Sequence, residues 1–186
     1  CGQVGVVWMD THPDLNTPET TPSGNMHGMV LAGVLGRGSE AMVQATQDCK
    51  TIDTHVAMVG VRSIDSGEQR WLDEGNINCM KMSQVRDRGL DVCLVDAVDT
   101  ANQAESGYGL TIDLDVIDPT QAPYVATAVD GGINAEELAF VLKSLPHPDR
   151  LLGMEVTEFT PRNEQDAQSA CDIVANLVNA VMSVFV

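Results

Sequence analysis

Apolar residues fall in five short runs along the chain. Residues 4–9 (VGVVWM) and 55–61 (HVAMVGV) are almost uninterrupted, the pattern of strands buried on both faces of a parallel sheet. Residues 77–82 alternate and read as a weaker strand, while 107–116 (GYGLTIDLDV) and 151–156 (LLGMEV) are strands that run into acids. Residues 10–28 are polar and turn-rich, hence a loop. Residues 29–35 open a helix that the GRG at 36–38 ends. Asn134-Ala-Glu-Glu137 has the spacing of a capping box, with Asn134 as cap, and Leu138, Val141, Leu142 and Leu145 follow at helical intervals. Ile173, Val174, Leu177, Val178, Val181 and Val184 mark one face of a C-terminal helix that packs on the sheet. Strands alternating with helices predict an α/β fold with a mainly parallel sheet, as a single domain over 1–186.

In such sheets ligands bind beyond the carboxyl ends of the strands. The polar clusters at 10–14, 65–68, 113–115 and 155–158 all fall at or just after such ends, so four groups of acids are expected on one rim. Residues two apart on a strand face the same way, which pairs Asp113 with Asp115 and Asp10 with His12. Clustered carboxylates raise one another's pKa, and a divalent cation removes that cost. Two cations can share Asp10, Asp14, Asp113, Asp115 and His12. Oxygen donors with an imidazole and no sulfur favour manganese, and a pair of such ions can hold a bridging hydroxide nucleophile.

Charge and cysteine content narrow the setting. With 27 acids against 10 bases the net charge is −17, which repels nucleic acid and anionic lipid and draws a cationic ligand. No apolar run is expected to span a membrane, and the first ten residues lack the build of a signal peptide. Five cysteines (1, 49, 79, 93 and 171) without a C-x-x-C pair read as reduced thiols of a cytoplasmic protein, packing as small apolar groups. The start without methionine, close to a strand, reads as a chain that begins mid-protein.

Plainer roles exist for several of these residues. Asp65 can cap the helix that Gly67-Glu68 begins. Asn16, Thr21 and Ser23 can form turns, and His27 can cap or pack. Met26, Met29 and Met42 read as core fillers, and Trp8 and Trp71 as packing residues.

Four segments in order, "DTHPDLNTPETTPSGNMHG" (10–28), "VRSIDSGEQ" (61–69), "LTIDLDVIDPTQAP" (110–123) and "GMEVTEFTP" (153–161), resemble the signatures of the ureohydrolase family (arginase, agmatinase, formimidoylglutamase) in its arginase form. The resemblance implies a three-layer α/β/α fold and hydrolysis of L-arginine to L-ornithine and urea by a hydroxide bridging two Mn2+ ions. It implies that Asp10 and Asp113 bridge the metals, that His12 and Asp115 complete one and that Asp14 serves the other. It counts His27, as proton shuttle, with Asp14 and Glu158 among the catalytic residues. Glu158 would lie beneath the guanidinium. Asn16, Thr21 and Ser23 would hold the substrate carboxylate, Asn25 would also bind the substrate, Asp65 and Glu68 would meet its ammonium group directly or through water, and Thr127 would line the pocket. It also implies a homo-oligomer, a trimer or hexamer.

The chain departs from the family pattern in lacking the upstream G-G-D-H-S element, whose histidine serves the metal of Asp14. It also lacks the family's N-terminal strands and helices. The resemblance therefore implies a fragment that is poorly active, with an apolar sheet edge exposed beside 151–156. Tyr124, Ala126 and Ala128 stand where the family usually has glycine, glycine and proline. Rival readings are another ureohydrolase, such as an agmatinase or guanidino-acid hydrolase, and a non-catalytic relative that binds arginine, ornithine or a partner protein.

Overall fold

Five parallel strands form one sheet in the computed structural model, which describes residues 2–48 and 51–185. They are β1 (Gly5–Met9), β2 (Val56–Val61), β3 (Asn78–Lys81), β4 (Tyr108–Asp113) and β5 (Leu151–Thr157). Their order is β3-β2-β1-β4-β5. The chain lays β2 and β3 to one side of β1, then returns to add β4 and β5 on the other. The direction of winding therefore switches between β1 and β4, where a crevice opens beyond the strand ends. Valine-rich β2 is buried at all six positions, as its apolar run predicts.

The helices are α1 (Val30–Val34), α2 (Glu40–Ala45), α3 (Ser66–Glu74), α4 (Met82–Arg88), α5 (Leu90–Ala101), α6 (Ala135–Leu142) and α7 (Glu164–Met182). Those from α4 to α7 pack with Val7, Met9, Leu110 and Ile112 on one face of the sheet. On the other face, Leu31 and Ala32 of α1 and Trp71 of α3 pack with Trp8 and Met58. This gives the expected three layers. The sequence reading gave α5 no element, yet it is the main helix of the core. Leu90, Cys93, Leu94, Ala97, Val98 and Ala101 are all buried, and its side chains such as Leu94 contribute roughly 1.5–3 kcal/mol each.

Several expectations need correction. The strand expected over 107–116 stops at Asp113, and Leu114–Val116 is a 3-10 turn. Asn134 caps α6 by accepting from the amides of Glu136 (2.9 Å) and Glu137 (3.0 Å). The reciprocal bond from the Glu137 side chain is not formed among the described residues. Met26 is no core filler but 69% exposed. The segment Glu164–Phe185 is long and apolar enough, by length and composition alone, to cross a membrane. Its residues Ala170, Leu177, Ala180 and Val181 nevertheless belong to the core. Of the cysteines, Cys93 is buried, Cys79 half-buried and Cys171 exposed. Cys1 and Cys49 lie outside the described residues.

β5 is one of the two edge strands among the described residues, with β3 at the other edge. Leu152 is exposed, and an apolar groove of about 570 Å³ runs between β5 and the Val178, Met182 and Phe185 side of α7.

Candidate active site

The two halves of the site use the same local device. Just past β1, Asp10 Oδ1 accepts from the His12 amide at 2.7 Å. At the end of β4, Asp113 Oδ1 accepts from the Asp115 amide at 2.8 Å. Each aspartate closes a turn on the amide two residues on. His12 and Asp115 are thus turned inward from neighbouring loops, not aligned along a strand as the alternation suggested. They meet with His12 Nδ1 2.9 Å from Asp115 Oδ2. Asp10, His12 and Asp115 offer ligand atoms that all lie within 4.8 Å of one another. Asp113 and Asp14 lie outside that group, although the negative charge of Asp10 acts on both.

Thr11 locks the crevice across the switch point. Its amide donates to Asp115 Oδ1 (3.1 Å) and its hydroxyl to the Asp115 carbonyl (2.7 Å). Trp8, read as packing, also donates its indole N–H to Asp10 Oδ2 at 2.9 Å. Arg62 was not singled out at all. Its guanidinium reaches the carbonyls of Asp115 (2.8 Å), Val116 (3.3 Å), Gly60 (3.4 Å) and Val129 (2.7 and 3.2 Å). The sequence does hold a signal for that placement in Gly60. Glycine there permits a φ of 97°, a β-carbon would meet Val116 Cγ2 at 2.5 Å, and the β2–β3 register shifts between Val59 and Val61.

Burial and like charges set the electrostatics of the cluster. Burial pushes the Asp14 carboxyl up to about 9, and the Asp10 charge adds to it. Asp113 is likewise raised to about 9 by burial, then by Asp10 and Asp115. Asp10 is raised to about 6, chiefly by burial, against the opposing hydrogen bond with His12. For His12, burial opposes the charged form, but Asp10 and Asp115 outweigh it and raise the imidazole to about 10. Asp115 falls to about 2 because His12, Thr11 and Thr127 offset its burial. Protonated carboxyls and an imidazolium between two acids supply the compensation that a divalent ion would provide. Carboxylates and imidazole, with no thiolate beside them, fit such an ion.

A cleft of about 160 Å³ opens beside these groups. It is lined by His12, Asp14, Asn16, Thr21, Ser23, Asn25, His27, Asp65, Glu68 and Thr127, with Gly28 and Ser63. All the residues singled out in the 10–28 loop except Asp10 therefore reach one cleft. Thr127 Oγ1 donates to Asp115 Oδ2 at 3.0 Å. Thr21 and Ser23 also do the turn-forming work, accepting from the amides of Gly24 (3.0 Å) and Asn25 (3.2 Å). Asn16 is buried and donates to Asp65 Oδ2 at 2.9 Å. Asp65 stands at the N-cap of α3, as the plainer reading had it, and its amide donates to Glu68 Oε2 at 2.9 Å. Glu158 faces His27, with Oε1 3.7 Å from Nδ1. Glu155 is not on this rim. It sits within β5 and accepts from Thr111 at 3.1 Å. Asp14 (φ 52°) and Glu158 (φ 59°) both have left-handed backbones, which cost of order 1–3 kcal/mol each and concentrate at functional sites.

A crevice at the topological switch, walled by carboxylates and one imidazole, is the arrangement of a metal-dependent α/β site. The chain belongs to the arginase family: the sequence model of that family matches residues 1–183. The arginase of Bacillus caldovelox is 35% identical over 174 residues, covering 93% of this chain and 58% of that protein. The native structure of B. caldovelox arginase at pH 5.6 superposes with a TM-score of 0.87 at 33% identity, covering 96% of this chain and 60% of that one. Entamoeba histolytica arginase in complex with L-ornithine superposes at 0.84 with 28% identity, covering 95% and 60%. The chain thus spans about 58–60% of the length of these relatives.

Proposed function

We propose that this chain carries the larger part of an arginase active site, one that hydrolyses L-arginine to L-ornithine and urea with two Mn2+ ions. The observation that carries the reading is the convergence of Asp10, His12 and Asp115 at the switch point, beside a cleft lined by neutral hydrogen-bonding groups and acids. Asp10, His12, Asp14, Asp113 and Asp115 would hold the metal pair, which when bound lowers the pKa of a water molecule to near neutrality. The residues of the chain do the rest. Asn16, Thr21, Ser23 and Asn25 present amide and hydroxyl donors to a carboxylate. Asp65 accepts from an ammonium group. Glu158 pairs with the cationic guanidinium, and Thr127 fixes the orientation of Asp115. His27 is half-exposed and borders the cleft, so it can carry a proton between solvent and the leaving amine. The ornithine complex of the Entamoeba relative supports an amino-acid ligand of this kind. The family resemblance further suggests a cytoplasmic homo-oligomer for the whole protein.

Urea release with Mn2+ present tests the reading. L-Arginine is expected to yield ornithine and urea, slowly from this chain alone, while agmatine yields nothing. Turnover of agmatine without arginine would move the assignment to the agmatinase-like rival. Arginine binding without turnover of either compound would favour the non-catalytic one.

A further inference from the structure

Glu68 lies in the first turn of α3 and is 3% exposed, although it borders the cleft. Both of its carboxylate oxygens are taken by backbone amides: Oε1 accepts from Leu15 (3.1 Å) and Oε2 from Asp65 (2.9 Å). Leu15 directly follows Asp14, the residue with φ 52°. On its other side the same turn is tied to the 28–32 segment. The Ala32 amide donates to the Asp14 carbonyl (3.0 Å) and the Asn16 amide to Gly28 (3.2 Å). A left-handed aspartate persists where its surroundings over-determine it. Returning Asp14 to a right-handed conformation would rotate the Asp14–Leu15 peptide and pull the Leu15 amide off Glu68.

We infer that Glu68 is a positioning residue: it holds the Leu15 amide so that the left-handed Asp14 presents its carboxylate to the metal cluster. The inference rests on the proposed role of Asp14 as a metal ligand. It explains why an acid in the cleft wall is so deeply buried. Each oxygen already accepts from a buried backbone amide, one from Leu15 and one from Asp65. Asp65, at the N-cap, is exposed to solvent.

Manganese titration of the 186-residue chain, read by the electron paramagnetic resonance of the free ion, tests it. Glu68→Ala is expected to weaken Mn2+ binding about 10-fold, the lower range for removing a group that orients a ligand. Glu68→Gln, which keeps one acceptor oxygen, should lose less. Asn134→Ala, which uncaps α6, should lower the melting temperature and leave Mn2+ affinity unchanged. Hydrogen exchange at the Leu15 amide should quicken in Glu68→Ala. If Asp14→Asn weakens Mn2+ binding and neither Glu68 variant does, the positioning role is overturned while the metal site stands. If Asp14→Asn binds Mn2+ like the parent, the reading of Asp14 as a ligand fails and takes this inference with it; if the parent binds none, unchanged exchange at the Leu15 amide in Glu68→Ala overturns the positioning role.

Discussion

Replacing Asp113 by asparagine separates what the acid cluster costs the fold from what it binds. The Asp113 carboxyl is raised from an ordinary 3.8 to about 9. Without metal at pH 7, the folded chain therefore holds a proton there that the unfolded chain releases. More protons on the folded state mean that stability falls as pH rises. This contribution is intact below about pH 4 and is lost progressively as pH climbs through 9. The span from 3.8 to 7, at about 1.4 kcal/mol per unit, gives about 4 kcal/mol. Burial is the largest cause, and the part due to Asp10 and Asp115 is shared with them, so about 2 kcal/mol is the expected share of Asp113 alone. Asparagine keeps the oxygen that accepts from the Asp115 amide at 2.8 Å, so the turn survives. Urea unfolding in chelator should show Asp113→Asn equal to the parent at pH 4 and about 2 kcal/mol more stable at pH 7. Added Mn2+ should stabilise the parent and not the variant. A difference between variant and parent that fails to grow from pH 4 to pH 8 would refute the argument, as would a variant less stable than the parent at pH 7.

Arg62→Lys should cost about 2–4 kcal/mol in urea unfolding, because an ammonium cannot fork to the carbonyls of Gly60, Asp115, Val116 and Val129. Trp8→Phe keeps the ring and deletes the N–H on Asp10. Mn2+ affinity by calorimetry should fall about 10-fold while the metal-free melting temperature moves by only a few degrees. Leu152→Lys places a charge on the open edge of β5. It should lower light scattering at high protein concentration and leave Mn2+ binding unchanged.

β1, β2, β4 and β5 were legible as short, mainly apolar runs and β3 as a weaker alternation, and the rim because acids stand at the ends of β1 and β4. The alternation argument for Asp113 and Asp115 assumes a strand that runs through both, and the strand stops at Asp113. An aspartate that bonds the amide two residues on ends its own strand, and periodicity carries no trace of that. Helix α5 was legible and passed over: Leu90, Cys93, Leu94, Ala97 and Val98 keep helical spacing, but Asp91, Asp96 and Asp99 interrupt the apolar look of the stretch. Trp8 could not be told from a packing residue, since its indole serves the core and Asp10 at once. For Glu68, sequence supplied the residue and the family resemblance supplied a substrate role. The buried pair of amide contacts gives it a different one.

The strand order has a further consequence, for timing. Asp10 and Asp115 are joined through Thr11 by a bond that spans 104 residues. Closing a loop of that length costs about 4 kcal/mol in chain entropy. The site assembles only when β4 docks against β1, one of the most non-local pairings in the sheet. A metal ion that needs both loops cannot seed this fold. It would meet a finished sheet and, once bound, would slow unfolding and leave the folding rate unchanged.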